Sequence, residues 1–562
     1  MGRAVLGFNA NIHDTAAALI IDGKLVAFVE EERLRREKHT TAFPDRAVSW
    51  CLREHGLTAR DLAGVGFYWR PWVGLARRIG QTLRGLPATW ANVRRMQGGN
   101  LRSMFATAGE FRHRFGYAGP FRYVNHYLAH AHHAARQTDF DRALIVVVDG
   151  NGEIATTLIA LLEGDTIRPL HWVYYPHSLG LLWCTATEWL GYRQNFDEGK
   201  VMGLAPFGDA SALPAMRRIV DYRGGGEFRL DMSYFDYHLA RRNWFGEQWV
   251  NTFGPPRCPG EELTDRHRAV AFAVQKITEE TMVRLVEEMT VKLGTRNLVL
   301  TGGVALNCVM NGALAATGLL DGLYVPPPAH DAGAAIGAAM WVDREVFGVR
   351  GRDVAPSVFC GPRYTDAQCE QTLREAGLAY RREENIARAT ARLLAEGKFV
   401  GRFAGALEAG PRALGHRSIL ADPRTVAMKD LLNARVKHRE AYRPFGPSVL
   451  AERADELFVT GGRPSPHMLL TFPVRPAWRD RLGAVTHVDG TSRLQTVDRD
   501  RQPGYAALIE EFAALTGVPA VLNTSFNAKD EPIVCSPRDA VRGFLRTGLD
   551  ALALHDFLVL KK

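Results

Sequence analysis

Two histidines spaced one helical turn apart point to metal chemistry. In Asn125-His126-Tyr127-Leu128-Ala129-His130 a helix would put His126 and His130 on one face, where two imidazoles can hold one metal ion. A polar surface pair or a satisfied core pair fits the same spacing. The apolar run 143–148 reads as a buried strand that delivers Asp149 at its carboxyl end. Gly150-Asn151-Gly152 behind it makes a turn whose backbone N–H groups suit phosphate. On this pattern a metal and a nucleotide phosphate share one site.

The elements that must position these residues follow from alternation and punctuation. Residues 4–8 predict a first strand, and 15–21 with 24–29 predict a hairpin about Asp22-Gly23 that runs into a charged helix start, Glu30-Glu31-Glu32-Arg33. A second strand-turn-strand follows at 143–148 and 155–162. Strand, turn and hairpin occurring twice resembles the start of each half of the actin/sugar-kinase/Hsp70-like (ASKHA) fold. A long amphipathic helix, 265–293, precedes a strand at 298–300, and the Gly302-Gly303 pair after it allows a ligand close to the backbone. A helix over 334–345 would begin beside Asp331. Gly- and Pro-rich residues 348–362 mark a boundary, giving domains 1–350 and 351–562. The second opens with a helix at 365–376 and carries a basic set: Arg402, Arg412, Arg417, Arg424, Lys437, Arg443 and Arg493.

Composition narrows the class. A chain of 562 residues exceeds what one hydrophobic core organises, and 46% hydrophobic with 23% charged residues is ordinary for a globular protein. No apolar run approaches a membrane span, and the first residues enter a strand-like segment rather than a signal peptide. Seven scattered cysteines without a C-x-x-C pair suit a reducing cytoplasm and argue against a disulfide framework or a zinc knuckle. Part of the net charge of +9 lies between Pro71 and Pro120, where eight arginines (77, 78, 84, 94, 95, 102, 112, 114) face one acid, Glu110. That stretch suits nucleic acid, the steering of anionic substrates, or a solvated helical face. No nucleic-acid motif accompanies it, so neither nucleic acid nor membrane is expected as partner.

Longer runs carry a family resemblance. Gly7-Phe8 through His13-Asp14, the stretch 198–208, Gly302 to Asn307 and the stretch 331–339 are similar to the NodU/CmcH carbamoyltransferases. So are Gly410-Pro411-Arg412-Ala413-Leu414-Gly415, the stretch 417–424, Arg443-Pro444-Phe445-Gly446-Pro447-Ser448 and Asn523-Thr524-Ser525-Phe526-Asn527. The family includes nodulation-factor, cephamycin and tobramycin O-carbamoyltransferases. The resemblance implies an α/β chain: an ASKHA domain with two ribonuclease H-like halves, like the tRNA threonylcarbamoyl-transferring subunit, followed by a YrdC-like domain. The implied YrdC-like domain makes carbamoyl adenylate from carbamoyl phosphate and ATP, releasing phosphate and pyrophosphate. The ASKHA domain then passes the carbamoyl group to a hydroxylated small molecule, with antibiotic tailoring the expected setting, and leaves AMP.

By the same resemblance His126, His130, Asp149 and Asp331 hold one transition metal, iron(II) by family comparison, and magnesium can accompany ATP. Arg412, Lys437, Arg443 and Arg493 bind carbamoyl phosphate and the ATP phosphates, with Ser525 and Asn527 completing the nucleotide pocket. Gly302, Gly303 and Asn307 bind adenosine, opposite Glu198 and Lys200. His13 is the base for the acceptor hydroxyl or its orienter, and Asp231 and Asp236 can meet the acceptor. Asn11, Glu408-Ala409 and the Arg-rich segment depart from the family pattern and leave the acceptor open, as is a homodimer. Two competing readings are a tRNA threonylcarbamoyl transferase-like enzyme, marked by salt-dependent tRNA binding, and a non-catalytic ATP-binding ASKHA regulator. The regulator has no use for the two histidines. A sugar kinase would leave ADP instead of AMP.

Overall fold

The computed structural model describes residues 2–84, 100–239 and 241–561. Of the Arg-rich segment, Arg94 and Arg95 lie outside the described residues, while helices Leu75–Arg84 and Asn100–Phe115 flank them. The chain divides into two units, Met1–Glu31 with His39–Pro356, and Glu32–Lys38 with Ser357–Lys562. Among the described residues no helix is long and apolar enough to cross a membrane. All seven cysteines are free thiols.

The first unit contains one sheet topology twice. Strands β1 (Ala4–Asn9), β2 (Ala16–Ile21) and β3 (Lys24–Glu30) form an antiparallel meander. Then β4 (Leu62–Phe67) joins β1 in parallel, and β5 (Phe121–Tyr123) joins β4. The order is β3-β2-β1-β4-β5. In the second half β6 (Arg142–Val148), β7 (Ala155–Glu163) and β8 (Thr166–Tyr174) form the meander, and β9 (Val220–Gly224) with β10 (Glu227–Leu230) makes a separate hairpin. Strands β11 (Asn297–Thr301) and β12 (Gly322–Tyr324) then add in parallel, giving β12-β11-β6-β7-β8. These are two ribonuclease H-like sheets in the arrangement expected of an ASKHA domain. Asp22 and Gly23 have φ of 49° and 82°, the left-handed pair that a two-residue hairpin turn requires.

The helix Asp331–Glu345 starts three residues before the expected 334, because His330 is extended and Asp331 suits the first turn. Small residues let it pack close to its neighbours. A Cβ on Gly337 would lie 1.7 Å from the carbonyl oxygen of Ala129, in the helix His126–Ala135. One on Gly7 of β1 would lie 2.0 Å from that of Ala335. This approach sets Asp331 beside the histidine face.

The second unit is built on a mixed sheet. Its strands are β13 (Arg381–Arg382), β14 (Val400–Phe403), β15 (Arg417–Ala421), β16 (Gly446–Leu450), β17 (Thr471–Pro473), β18 (Thr491–Arg493), β19 (Gln495–Val497), β20 (Ala520–Ser525), β21 (Ala551–Leu554) and β22 (Phe557–Leu560). Eight of them run in the order β13-β22-β21-β14-β15-β20-β16-β19, and β17 pairs with β18 apart from it.

Candidate active site

The helix His126–Ala135 is capped by Asn125, whose side chain accepts the amide of Leu128. Its first turn is fixed by the buried Glu153, which accepts the amide of His126 at 3.0 Å and the side-chain amide of Asn125 at 2.9 Å. His126 and His130 are fully buried. His126 Nε2 lies 3.2 Å from Asp149 Oδ2 and 3.7 Å from Asp331 Oδ1, and His130 Nε2 lies 3.4 Å and 3.6 Å from the same atoms. One ligand atom from each residue lies within 4.8 Å of the others, a set that could hold a metal ion.

The residues fit such an ion. Both nitrogens of His130 and Nδ1 of His126 are buried without a hydrogen-bond partner. Two carboxylates facing two imidazoles in a dry site call for positive charge. Burial pulls the His130 imidazole down, but Asp149 and Asp331 outweigh it and lift it to about 9. Imidazole with carboxylate suits iron, manganese or zinc alike. His133 is buried and held at about 3 by burial and by His130 and His330, outside the ligand set.

The Gly-rich turn after β6 differs from the expectation. Gly150 N–H donates to Asp149 Oδ1 at 2.7 Å and Gly152 N–H to the Ala155 carbonyl at 2.9 Å. Both amides serve the turn and the acid rather than a phosphate, because the carboxylate and the hairpin are nearer acceptors. Gly303 N–H reaches the same Asp149 oxygen at 3.2 Å. Gly302, at φ 95°, brings the chain so close to β6 that a Cβ there would sit 2.2 Å from the Val148 carbonyl oxygen. Asn307 caps the helix Cys308–Ala316 and donates to Gln275 at 2.9 Å. Glu198 accepts the Asn195 amide at 2.6 Å, and burial pushes its carboxyl up. Lys200, two residues along the same helix, pairs with Asp197 at 3.0 Å. Asp231 is exposed and caps a short turn at Ser233, and Asp236 pairs with Arg241.

His13 lies in the loop after β1, with Nδ1 2.9 Å from Asp14 Oδ2. Burial lowers its imidazole, but the hydrogen bond and charge of Asp14, then the charges of Asp331 and Asp149, raise it to about 9. The same carboxylates thus act on both the His-Asp set and this loop.

In the second unit Lys437 meets two residues 88 and 90 positions away. It sits at the end of a π-helical turn, Asn433–Lys437, closed by His438 at φ 45°. Its Nζ donates to the Ser525 carbonyl at 2.5 Å and to Asn527 Oδ1 at 2.8 Å. Burial, with the charges of Arg439, Arg443 and Lys38, holds Lys437 well below the ordinary lysine range. Half-buried Arg439 is lowered likewise by burial, Arg443 and Arg493, and its guanidinium lies over the Phe445 ring at 4.4 Å. Arg412 occupies the loop before β15. Buried Glu408 fixes that loop by accepting the amides of Leu414, His416 and Arg417, each at 2.9 Å. Other members of the basic set have structural partners. Arg417 is fully buried, stacked on Phe403 at 3.6 Å, Arg402 donates to the Gly415 carbonyl, and Arg424 pairs with Asp422 at 2.6 Å.

Residues 4–340 match the family model described as Carbamoyltransferase N-terminus, and residues 391–561 match that described as Carbamoyltransferase C-terminus. The chain is a member of the carbamoyltransferase family. It is 37% identical to nodulation protein NolNO of Sinorhizobium fredii, over 99% of this chain and 80% of that one. Nodulation protein U of Bradyrhizobium diazoefficiens is 31% identical, over 92% and 90%. An uncharacterized protein of Synechocystis is 37% identical, over 99% and 96%. Among solved structures, the activator of the 2-hydroxyisocaproyl-CoA dehydratase from Clostridium difficile with bound ADPNP aligns with 61% of this chain and 96% of its own. The two share 14% identity at a TM-score of 0.32.

Sequence reasoning about this carbamoyltransferase did not single out Lys38, Arg439, His39 or Glu153, which the structure places beside the candidate residues. Arg439 follows Lys437 by two, and its basic neighbours were the available signal. Lys38 and His39 lie where the chain leaves the second unit and re-enters the first, which no local pattern announces.

Proposed function

We propose that this carbamoyltransferase is an ATP-dependent O-carbamoyltransferase that works in two steps. First, residues 351–562, a YrdC-like domain, convert carbamoyl phosphate, ATP and water into carbamoyl adenylate, phosphate and pyrophosphate. Second, residues 1–350 pass the carbamoyl group to a hydroxyl of a natural product, as in antibiotic tailoring, and AMP leaves. The observation that carries this division of labour is the basic cluster of the second unit. There burial, then the charges of Arg439, Arg443 and Lys38, depress Lys437, and burial, then Arg443 and Arg493, depress Arg439, a concentration of positive charge suited to a polyanion.

In this reading Arg412, Lys437, Arg443 and Arg493 neutralise carbamoyl phosphate and the triphosphate, while Ser525 and Asn527 orient the Lys437 ammonium within the nucleotide pocket. Gly302, Gly303 and Asn307 shape the adenosine wall of the first unit, facing Glu198 and Lys200. A metal held by His126, His130, Asp149 and Asp331, iron(II) in this reading, would supply Lewis acidity toward a donor oxygen. Gly150, Gly303 and Glu153 keep that ligand set in place through Asp149 and the first turn of the histidine helix.

The test is pyrophosphate release from ATP and carbamoyl phosphate. Arg443→Ala and Lys437→Ala should each lose about a hundredfold in rate, the usual effect of deleting a preorganised charge-stabilising contact. Release at the wild-type rate in both would remove the basic cluster from the reaction.

A further inference from the structure

Asp14 joins two imidazoles. Its Oδ2 lies 2.9 Å from His13 Nδ1 and its Oδ1 lies 2.6 Å from His39 Nδ1. The Asp14 side chain is 11% exposed and that of His13 31%. With Nδ1 committed to the carboxylate, Nε2 on the far side of the His13 ring is the nitrogen left for substrate. Asp14 and His39 both have left-handed backbone, at φ 60° and 54°. Asp and His tolerate left-handed backbone better than most residues, so both can hold these positions, which turn their side chains toward one another. His39 is also the residue at which the chain re-enters the first unit after Glu32–Lys38. Its ring packs edge-on against Phe196 at 4.5 Å, and Arg193 covers Phe196 at 3.6 Å. The backbone and the aromatic neighbour therefore both act to keep His39 against Asp14.

We propose that His39 is a positioning residue for carbamoyl transfer: its Nδ1–H holds Oδ1 of Asp14 so that Oδ2 keeps His13 turned with Nε2 toward the acceptor hydroxyl. The inference rests on the two-step reading above. In the step served, the acceptor oxygen bonds to the carbamoyl carbon. The bond from that carbon to the adenylate phosphate oxygen breaks, its electron pair leaving with AMP, and the acceptor proton passes to neutral His13 Nε2. Without His39 the carboxylate can turn about its own axis and carry the His13 ring with it. A misplacement of about 1 Å costs roughly a hundredfold in rate.

The experiment compares His39→Asn with His39→Leu in the full chain. Carbamoyl adenylate is supplied as donor, glycerol is the hydroxyl probe, and carbamoylated glycerol is scored by mass spectrometry. Pyrophosphate release from ATP and carbamoyl phosphate is followed in parallel. Asparagine offers its amide N–H where histidine has Nδ1–H and tolerates left-handed backbone. Leucine should lower kcat for transfer roughly a hundredfold while KM for carbamoyl adenylate and pyrophosphate release stay unchanged, and asparagine should stay within about threefold of wild type. His39→Ala replaces leucine should the latter fail to fold. Wild-type transfer by the leucine or alanine variant overturns the proposal, as does an asparagine variant as impaired as leucine. If the wild-type chain neither releases pyrophosphate nor carbamoylates glycerol, the two-step reading falls and the role of His39 with it. Wild-type activity with an unaffected leucine variant removes His39 alone.

Discussion

Burial lowers the His13 imidazole, but the hydrogen bond and charge of Asp14 outweigh it and raise it from 6.5 to about 9. A general base must be neutral, so this rise leaves less of the base form at pH 7. If His13 is the base, transfer from supplied carbamoyl adenylate should rise about tenfold per pH unit and level off near pH 9. An orienting imidazolium predicts the opposite sign, a flat profile that falls above that pH. The His-Asp set makes a separate prediction. Purified protein should contain close to one transition-metal ion per chain by elemental analysis, and His126→Ala combined with His130→Ala should lose it. A double variant that keeps both metal and activity would leave these histidines without a role. At this scale legibility followed locality. His126 and His130 were readable because a helical period aligns them, and Asp149 because a strand end presents it. The bond from His39 to Asp14 spans 25 residues and depends on two left-handed φ values, which residue types alone do not encode.

At the scale of elements, the position of Asp331 depends on how closely two helices approach. Gly337 faces the Ala129 carbonyl with no space for a side chain, since a Cβ would lie 1.7 Å from that oxygen. Gly337→Val must therefore push the helix Asp331–Glu345 away from His126–Ala135. We expect a cost of about 1–3 kcal/mol in stability, the usual range for overpacking, together with loss of bound metal. Thermal melts and elemental analysis would check it, and a variant as stable and as metal-loaded as wild type would separate helix packing from the ligand set. The hairpin at Asp22-Gly23 and the helix Asp265–Leu293 were legible because turn chemistry and period are local signals. The π-helical turn that aims Lys437 at Ser525 was not. It depends on partners from β20 far along the chain. Likewise, the basic set looked uniform in sequence, yet Arg402, Arg417 and Arg424 are occupied by carbonyls, an aromatic ring and Asp422.

At the scale of the whole molecule, among the described residues the first unit carries the buried His-Asp set and His13, and the second carries the basic set. If the clusters serve successive steps, damage to one should be repaired by supplying the intermediate and damage to the other should not. His13→Ala should still release pyrophosphate from ATP and carbamoyl phosphate. It should fail to carbamoylate an acceptor by roughly 10²- to 10⁴-fold, the usual span for a lost general base, whether or not carbamoyl adenylate is added. Arg443→Ala should fail to release pyrophosphate, yet regain product formation once carbamoyl adenylate is supplied. Each variant is assayed with and without the intermediate, and carbamoylated product is scored by mass spectrometry. Full rescue of His13→Ala together with an inactive Arg443→Ala would reverse the assignment of the two units. Rescue of neither would show that the intermediate does not pass between the steps in free form, and that both clusters contribute to one undivided reaction.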